Sequence, residues 1–165
     1  PTFEEVLAWL ETDPDPRARR VRLNVETKSE PEHPDYAPAP EEFAALVLAA
    51  VKARGLLERF TLQSFDFRTL TAARALDPKV SIAALVEDRP TEELGALASR
   101  LKTDAVSPNH EWLTQADVES AHRAGAKVIP WTANSKKDWR RLEALGVDGI
   151  ITDDPKALLE FRDAR

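Results

Sequence analysis

Apolar runs of strand length alternate with helix-forming segments along this chain, and this alternation restricts the fold more than any other feature. Each run is followed by a segment with helical spacing, so crossovers join the strands, and strands joined in this way lie parallel. One further helix precedes the first strand. The pattern predicts six parallel strands, each followed by a helix, with starts near Val21, Phe60, Val80, Ala105, Lys127 and Gly149.

Capping residues mark the ends of the predicted helices. Thr2 and Glu5 have the spacing of a capping box, and Thr114 and Asp117 repeat it. Gly146 follows the last apolar residue of a helical stripe, where a left-handed residue commonly ends a helix. The strand and helix predictions therefore agree with the local residue types at their boundaries.

Length and composition restrict the class of protein. A chain of 165 residues with a net charge of -6 suits one domain, and we predict a single domain over residues 1–165. The acidic balance argues against a nucleic-acid partner, and no apolar run is long enough to span a membrane. The absence of cysteine excludes disulfides and cysteine nucleophiles but does not indicate the compartment.

Two architectures fit strands that alternate with helices: a (β/α) barrel and an open doubly wound sheet. Nucleotide-binding sheets of the second kind use glycine-rich phosphate loops. This chain has only 5 glycines and lacks both the Gly-x-Gly-x-x-Gly and the P-loop patterns. The sequence therefore favours a TIM-type (β/α) barrel.

Apolar and polar side chains alternate within residues 21–28, and two interpretations stay open for this strand. In the first, the polar face meets solvent. In the second, the strand is covered on both faces, as parallel strands usually are, and Asn24, Glu26 and Lys28 point inward. An unpaired buried charge costs several kcal/mol, so a buried carboxylate beside a buried amine indicates a functional site.

The segment over residues 29–40 is rich in proline and acidic residues and contains His33. It is long for a loop inside a compact domain, and it follows the carboxyl end of the first predicted strand. Loops at that end build the active sites of α/β folds, so a binding or lid role is one interpretation. The other is a surface excursion without function.

Five segments resemble, in order, the successive motifs of the glycerophosphodiester phosphodiesterase family. The resemblance covers almost the whole chain and implies a (β/α) barrel enzyme of lipid metabolism. Such an enzyme hydrolyses glycerophosphodiesters to an alcohol and glycerol 3-phosphate with a divalent cation, Ca²⁺ or Mg²⁺. The matching segments are Asn24-Val25-Glu26-Thr27-Lys28, Gln63-Ser64-Phe65, Ser107-Pro108-Asn109-His110, residues 130–134 (Pro-Trp-Thr-Ala-Asn) and residues 146–155.

The resemblance implies a role for four residues. Glu26 matches a carboxylate that binds the metal, and Lys28 matches a lysine at the phosphate; a hard oxygen ligand is what such a cation prefers. Trp131 and Phe65 match aromatic residues that line the glycerol pocket. By residue type alone, an aromatic residue at a strand end more often belongs to the core, and a loop histidine such as His110 is usually exposed.

The family's first motifs have no counterpart in this chain. Its members begin with a strand that carries a His-Arg pair and a second strand with a Glu-x-Asp metal pair. The resemblance thus implies the carboxy-terminal portion of an incomplete barrel, with the N-terminal βα units missing and no catalytic histidine in this chain. We expect the chain alone to be inactive, to bind a cation weakly through Glu26, and to self-associate through open sheet edges.

Two other functions fit the same residues. A non-catalytic (β/α) domain could keep the pocket for binding or scaffolding, since a fold does not dictate a function. An aldolase-type barrel could use Lys28 as a Schiff-base amine. The preferred partner is a small-molecule glycerophosphodiester; the sequence does not indicate its alcohol, the choice of cation, the oligomeric state or the compartment.

Overall fold

The computed structural model describes residues 1–164, which form two compact units, residues 1–82 and residues 83–164. The prediction of one domain is not tested by this division and stays a prediction. In both units strands alternate with helices, as the sequence predicts. The chain is therefore of the α/β class throughout.

The first unit contains three helices and the strands that alternate with them. In order they are α1 (Phe3–Thr12), β1 (Leu23–Glu26), α2 (Pro40–Ala53), β2 (Phe60–Ser64), α3 (Phe67–Leu76) and the start of β3 (Ser81–Val86). Strands β1 and β2 pair parallel, with Leu23 opposite Phe60 and Glu26 opposite Gln63.

Local residue types account for the helix ends in this unit. The Thr2 hydroxyl accepts from the Glu5 N–H, and the Glu5 carboxylate accepts from the Thr2 N–H at 2.7 Å, so the predicted capping box forms. Helix α2 starts with Pro40 at its first turn and is followed by Gly55 at φ +63°. Its buried face packs on α3 and carries Ala44, Val47, Leu48 and Val51.

The second unit continues the alternation. After the last four residues of β3 come α4 (Leu94–Leu101), β4 (Ala105–Pro108), α5 (Gln115–Arg123), β5 (Lys127–Val128), α6 (Lys136–Ala144) and α7 (Pro155–Asp163). Strand β4 pairs parallel with both β3 and β5. Helices α4 and α5 pack closely at Gly95, where an added Cβ would lie 2.2 Å from the Ser120 carbonyl oxygen.

Five of the six predicted strands form within the described residues. The prediction of a sixth strand near Gly149 is wrong, because no regular strand forms there. Residues 147–152 nevertheless run beside residues 128–133: the Asp148 N–H donates to Val128 O, and the Ile151 N–H donates to Pro130 O. Pro130 has no N–H to donate in return, which interrupts the ladder. Strand β5 itself ends at Val128.

Among the helices of residues 1–164, none combines the length and the apolar composition needed to cross a bilayer.

Candidate functional site

Polar side chains share one face at the carboxyl ends of β1 and β2. Glu26 is the last residue of β1 and lies in register with Gln63 on β2, and the Thr27 N–H donates to Gln63 O at 3.0 Å. Residues in register on neighbouring parallel strands project to the same side, and so does Asn24, two residues before Glu26. The Asn24 Nδ2 group donates to Gln63 Oε1 at 2.7 Å. The structure therefore groups a carboxylate with two amides.

Glu26 and Lys28 are the two charged candidates of this edge. Glu26 is half-buried and Lys28 is exposed. Neither side chain forms a hydrogen bond or ion pair with another residue of 1–164. Both charges are thus available to a ligand, and a cation and an anion can approach the same strand end.

Of the two interpretations of this strand, the one that buries Asn24, Glu26 and Lys28 under cover on both faces is wrong for Asn24 and Lys28, which are exposed. Within the described residues of the first unit, β1 pairs with β2. An uncovered edge keeps these side chains hydrated, so their placement costs less than burial would.

A buried serine fixes the two strand ends to one another. The Ser64 hydroxyl donates to Thr27 O at 3.0 Å and accepts from the Asp66 N–H at 3.1 Å. The loop over residues 29–40 departs from this point, as predicted, and its Ser29 hydroxyl donates to Asp66 Oδ2 at 3.0 Å. The path of the chain on both sides of Lys28 is therefore held in place.

The loop over residues 29–40 forms a cavity of about 180 Å³ with one residue of α3, Arg68. Within the loop, the rings of His33 and Tyr36 stack with centroids 4.8 Å apart. The cavity lies directly after Lys28 in the chain. This position agrees with a binding or lid role for the loop, which stays a prediction.

Asp66 connects the loop over residues 29–40 to the start of α3 through its carboxylate. Its carboxylate is bound by the Arg68 guanidinium at 2.7 Å and caps α3 by accepting from the Arg68 N–H. The Arg68 side chain lowers the pKa of Asp66, and against the opposing effect of burial the Arg68 N–H and the Ser29 hydroxyl lower it further. Asp66 is therefore ionised at neutral pH.

We expect Asp66→Ala to lower the free energy of unfolding by about 1–2 kcal/mol at neutral pH, because a helix cap is lost. The folded-state pKa of Asp66 lies below its unfolded value of about 3.9, so its contribution is present above that value and is lost as the pH falls through the folded-state pKa. Urea denaturation between about pH 7 and pH 3 should show the variant approaching the wild type at the acid end.

Asp35→Ala provides the matched control for this experiment, because Asp35 is exposed in the neighbouring loop and forms no side-chain contact with the described chain. The control should unfold like the wild type at every pH. A difference between Asp66→Ala and wild type that does not change with pH would contradict an ionised Asp66 as the source of the stability.

The two aromatic candidates lie at strand ends in different units. Phe65 directly follows β2 and is 43% exposed. Trp131 is half-buried in the second unit, where its Nε1–H donates to Ser107 O at 2.7 Å and its N–H donates to Pro108 O. Because the indole N–H is occupied in this way, Trp131 offers a ligand its ring surface rather than a donor.

His110 is held by Arg141 of α6. The Arg141 Nη2 group lies 3.1 Å from His110 Nδ1 and donates to His110 O at 2.7 Å. A guanidinium has no acceptor, so Nδ1 accepts and the neutral ring carries its proton on Nε2. His110 is half-buried rather than exposed, and its contacts fix the loop after β4.

Asp148 and Asp153 lie in bends outside the helices and strands. Asp148 accepts from the Val128 N–H and from His122 Nε2 at 2.9 Å. Asp153 accepts from Asn134 Nδ2 at 2.6 Å. Both carboxylates thus have partners within the second unit and link neighbouring segments.

The described residues do not form a complete metal site. No group of three or more histidine, aspartate or glutamate side chains within residues 1–164 is arranged to hold a cation. A Ca²⁺ ion takes six to eight oxygen ligands, and Mg²⁺ requires six. Glu26, with an unpaired carboxylate, can supply one ligand of such a set but not the set itself.

Gln63 and Asn24 are the members of this polar face that had no predicted role. Gln63 lies in a segment that matches the family, and Asn24 lies on the polar face of the first strand, but their contact depends on the register of β1 against β2. Strand register is set by tertiary packing. From the sequence, Asn24 and Gln63 are two polar residues in predicted strands, and their residue types do not show that the two side chains contact each other.

A family profile identifies the group of known proteins to which this chain is related. The profile of the glycerophosphoryl diester phosphodiesterase family matches residues 1–157. The chain belongs to this family. YhdW of Bacillus subtilis, assigned as a glycerophosphodiester phosphodiesterase, is 32% identical over 172 aligned residues, which cover 97% of this chain and 61% of YhdW.

Solved structures agree with this family assignment. A Silicibacter pomeroyi protein assigned as a glycerophosphoryl diester phosphodiesterase matches 99% of this chain and 57% of its own with a TM-score of 0.87 and 29% identity. A phosphodiesterase of Oleispira antarctica, solved with its product sn-glycerol-3-phosphate, matches 86% of this chain and 55% of its own, with a TM-score of 0.73 and 22% identity. These matches confirm the incomplete (β/α) barrel class.

The family member described here spans about three fifths of the length of these relatives. What those proteins do as whole molecules is therefore a proposal for this chain.

Proposed function

We propose that this chain provides part of a glycerophosphodiester phosphodiesterase, which releases an alcohol and sn-glycerol 3-phosphate. The observation that carries the proposal is the pair of unpartnered opposite charges, Glu26 and Lys28, at the carboxyl end of β1 in a chain of this family. Loops and strand ends on that side hold the active sites of (β/α) barrels. The proposed substrate is a small-molecule phosphodiester.

Lys28 is the proposed contact to the phosphate. A phosphodiester carries one negative charge, and an ammonium group on a flexible stem acts as a point charge toward it. Lys28 is exposed, and within the described chain no carboxylate competes for it. Phe65, which follows β2 in the same unit as Lys28, is the proposed apolar contact to the glycerol carbons.

Glu26 is the proposed protein ligand of a divalent cation. When bound, such a cation stabilises negative charge on the phosphoryl oxygens. Since Glu26 supplies a single carboxylate, we expect this chain to bind Ca²⁺ or Mg²⁺ only weakly. The described residues thus support participation in a metal site and not a complete one.

A non-catalytic binding domain is the second candidate function. The observation that favours it is the lack of a three-ligand cluster in residues 1–164. Both functions use Lys28 for an anion, so binding of a phosphate ester does not separate them. Turnover of a glycerophosphodiester distinguishes the enzyme from the binding domain.

Self-association is a further proposal about this chain. An apolar groove of about 520 Å³ lies beside β1 in the first unit, with Val25, Phe43 and Leu46 among its lining residues. Leu46 is 56% exposed. An apolar surface next to a strand edge is a typical association site, which supports the proposal.

The test of the proposed function is release of sn-glycerol 3-phosphate from glycerophosphocholine in the presence of Ca²⁺. We expect the chain alone to show no turnover, because the described residues lack a complete metal site. A chimaera of YhdW, in which this chain replaces the aligned segment, should be active. A folded but silent chimaera, beside an active YhdW, would favour the binding domain; turnover by the chain alone would contradict the expectation that it is inactive.

A further inference from the structure

Gln63 is the most buried polar side chain on the face that carries Glu26, with 8% of its surface exposed. It lies in register with Glu26, on strands that are spaced about 4.8 Å apart. Any group that contacts the Glu26 carboxylate from that face is therefore within reach of the Gln63 amide. Proximity alone does not say which atom of the amide it meets.

The hydrogen bond from Asn24 decides the orientation of this amide. Gln63 Oε1 accepts from Asn24 Nδ2 at 2.7 Å, so the Nε2 group points away from Asn24. Asn24 precedes Glu26 on the same strand face. The oxygen is thus engaged on the side of Asn24, and the NH₂ group is left as the end that can meet a ligand.

The Nε2 group of Gln63 is an unused donor. It forms no hydrogen bond with another residue of 1–164, and it is not among the fully enclosed polar atoms that lack a partner. Because Nε2 is not enclosed, a ligand on this face can reach it. An amide NH₂ cannot ligate a cation, so the ligand atom that it can bind is an acceptor oxygen.

We propose that Gln63 is a further ligand-binding residue, whose Nε2–H donates to an oxygen of the phosphate group, and that Asn24 is the positioning residue that holds the amide in this orientation. The proposal rests on the proposed function, which places a phosphate beside Lys28. The phosphate oxygens are the acceptors that the Gln63 donor lacks. Asn24, Gln63 and Lys28 thus act on the same ligand group.

The first test uses the side-chain amide signals themselves. The chain contains two glutamines, Gln63 and Gln115, and Gln115 Nε2 is exposed on α5, where it donates to Glu119. In a uniformly ¹⁵N-labelled sample titrated with sn-glycerol 3-phosphate, the NH₂ signals of Gln63 should shift with the same dissociation constant as the backbone amides of residues 26–28. The NH₂ signals of Gln115 should not move.

Two failures of this titration are distinguishable. If the amides of residues 26–28 respond while the NH₂ signals of Gln63 do not, the role of Gln63 is overturned and the proposed function stands. If no signal responds at any ligand concentration, the proposed binding of a phosphate ester is overturned, and the role of Gln63 with it.

The second test removes the donor. Gln63→Met keeps the side-chain length without the amide, and we expect the dissociation constant for sn-glycerol 3-phosphate to rise about tenfold, since a hydrogen bond to a charged acceptor is lost. Gln115→Met is the matched control and should bind like the wild type. A folded Gln63→Met variant with unchanged affinity would overturn the proposal; if this variant does not fold, the titration of the wild-type side chain decides.

Asn24→Ala tests the positioning role separately. This variant retains the Gln63 donor but removes the group that orients it, so affinity should fall by less than in Gln63→Met. The NH₂ signals of Gln63 in the ligand-free variant should shift or broaden, because the amide then samples other orientations about its Cγ–Cδ bond. Sharp, unshifted Gln63 signals in Asn24→Ala would show that Asn24 does not position the amide.

Discussion

Glu26→Gln should reduce glycerophosphodiester turnover by the YhdW chimaera about 1000-fold. Glutamine keeps the size and the hydrogen-bonding capacity of the side chain but removes the negative charge, so the variant separates charge from shape. Loss of a carboxylate that binds a cation removes several kcal/mol of charge stabilisation in the transition state, and about 4 kcal/mol corresponds to three orders of magnitude in rate. The measurement is kcat/KM for glycerophosphocholine at saturating Ca²⁺.

The control for Glu26 is Glu58→Gln in the same chimaera. Glu58 lies in the same unit, is exposed, and forms no side-chain contact with another described residue. Its replacement changes the net charge by the same amount and should leave turnover unchanged. Retention of more than a tenth of the activity by Glu26→Gln would contradict the assignment of Glu26 as a metal ligand.

Lys28→Met should weaken binding of sn-glycerol 3-phosphate to the chain itself by about 30- to 100-fold. An ammonium that donates to a phosphate oxygen forms a charge-assisted hydrogen bond, and such a bond contributes about 2–3 kcal/mol. Isothermal titration calorimetry gives the dissociation constant directly. Added salt should weaken binding to the wild type more than to the variant, because screening acts on the charge that the variant lacks.

Lys137→Met is the matched control for Lys28. Lys137 is exposed on α6 and has no ion-pair partner within residues 1–164. The same loss of charge at that position should leave the affinity unchanged. Equal affinities of Lys28→Met and wild type would remove Lys28 from the site and with it the observation that carries the proposed function.

Local sequence patterns were sufficient to predict several of the helix ends. Thr2 with Glu5 and Thr114 with Asp117 form the predicted capping boxes, and Gly55 and Gly146 have positive φ after helices. These features depend on residues within one turn of each other. They form wherever the chain is helical, and tertiary contacts have little influence on them.

Strand predictions were less complete, because a strand exists only through its neighbours. The apolar run over residues 147–152 has the composition of a strand, yet the structure gives it only part of a hydrogen-bond ladder beside Pro130. Its partner segment loses a donor at the proline. Composition alone does not show which residue will lie opposite.

The candidate site was likewise predictable only in part. Residue types and the family resemblance were sufficient to select Glu26, Lys28, Phe65 and Trp131, and the family itself is confirmed. The roles of these four residues stay predictions. The exposure of Glu26 and Lys28 was not predictable, because it depends on which segments cover β1.

By itself, the sequence determined the alternating order of strands and helices, the helix caps and the family, since each depends on residue type and spacing along the chain. Tertiary structure alone decided that Gln63 lies opposite Glu26, that Asn24 donates to the Gln63 amide oxygen, and that Lys28 is exposed. The physical reason is that register and burial arise from contacts between residues distant in sequence, 39 positions apart for Asn24 and Gln63.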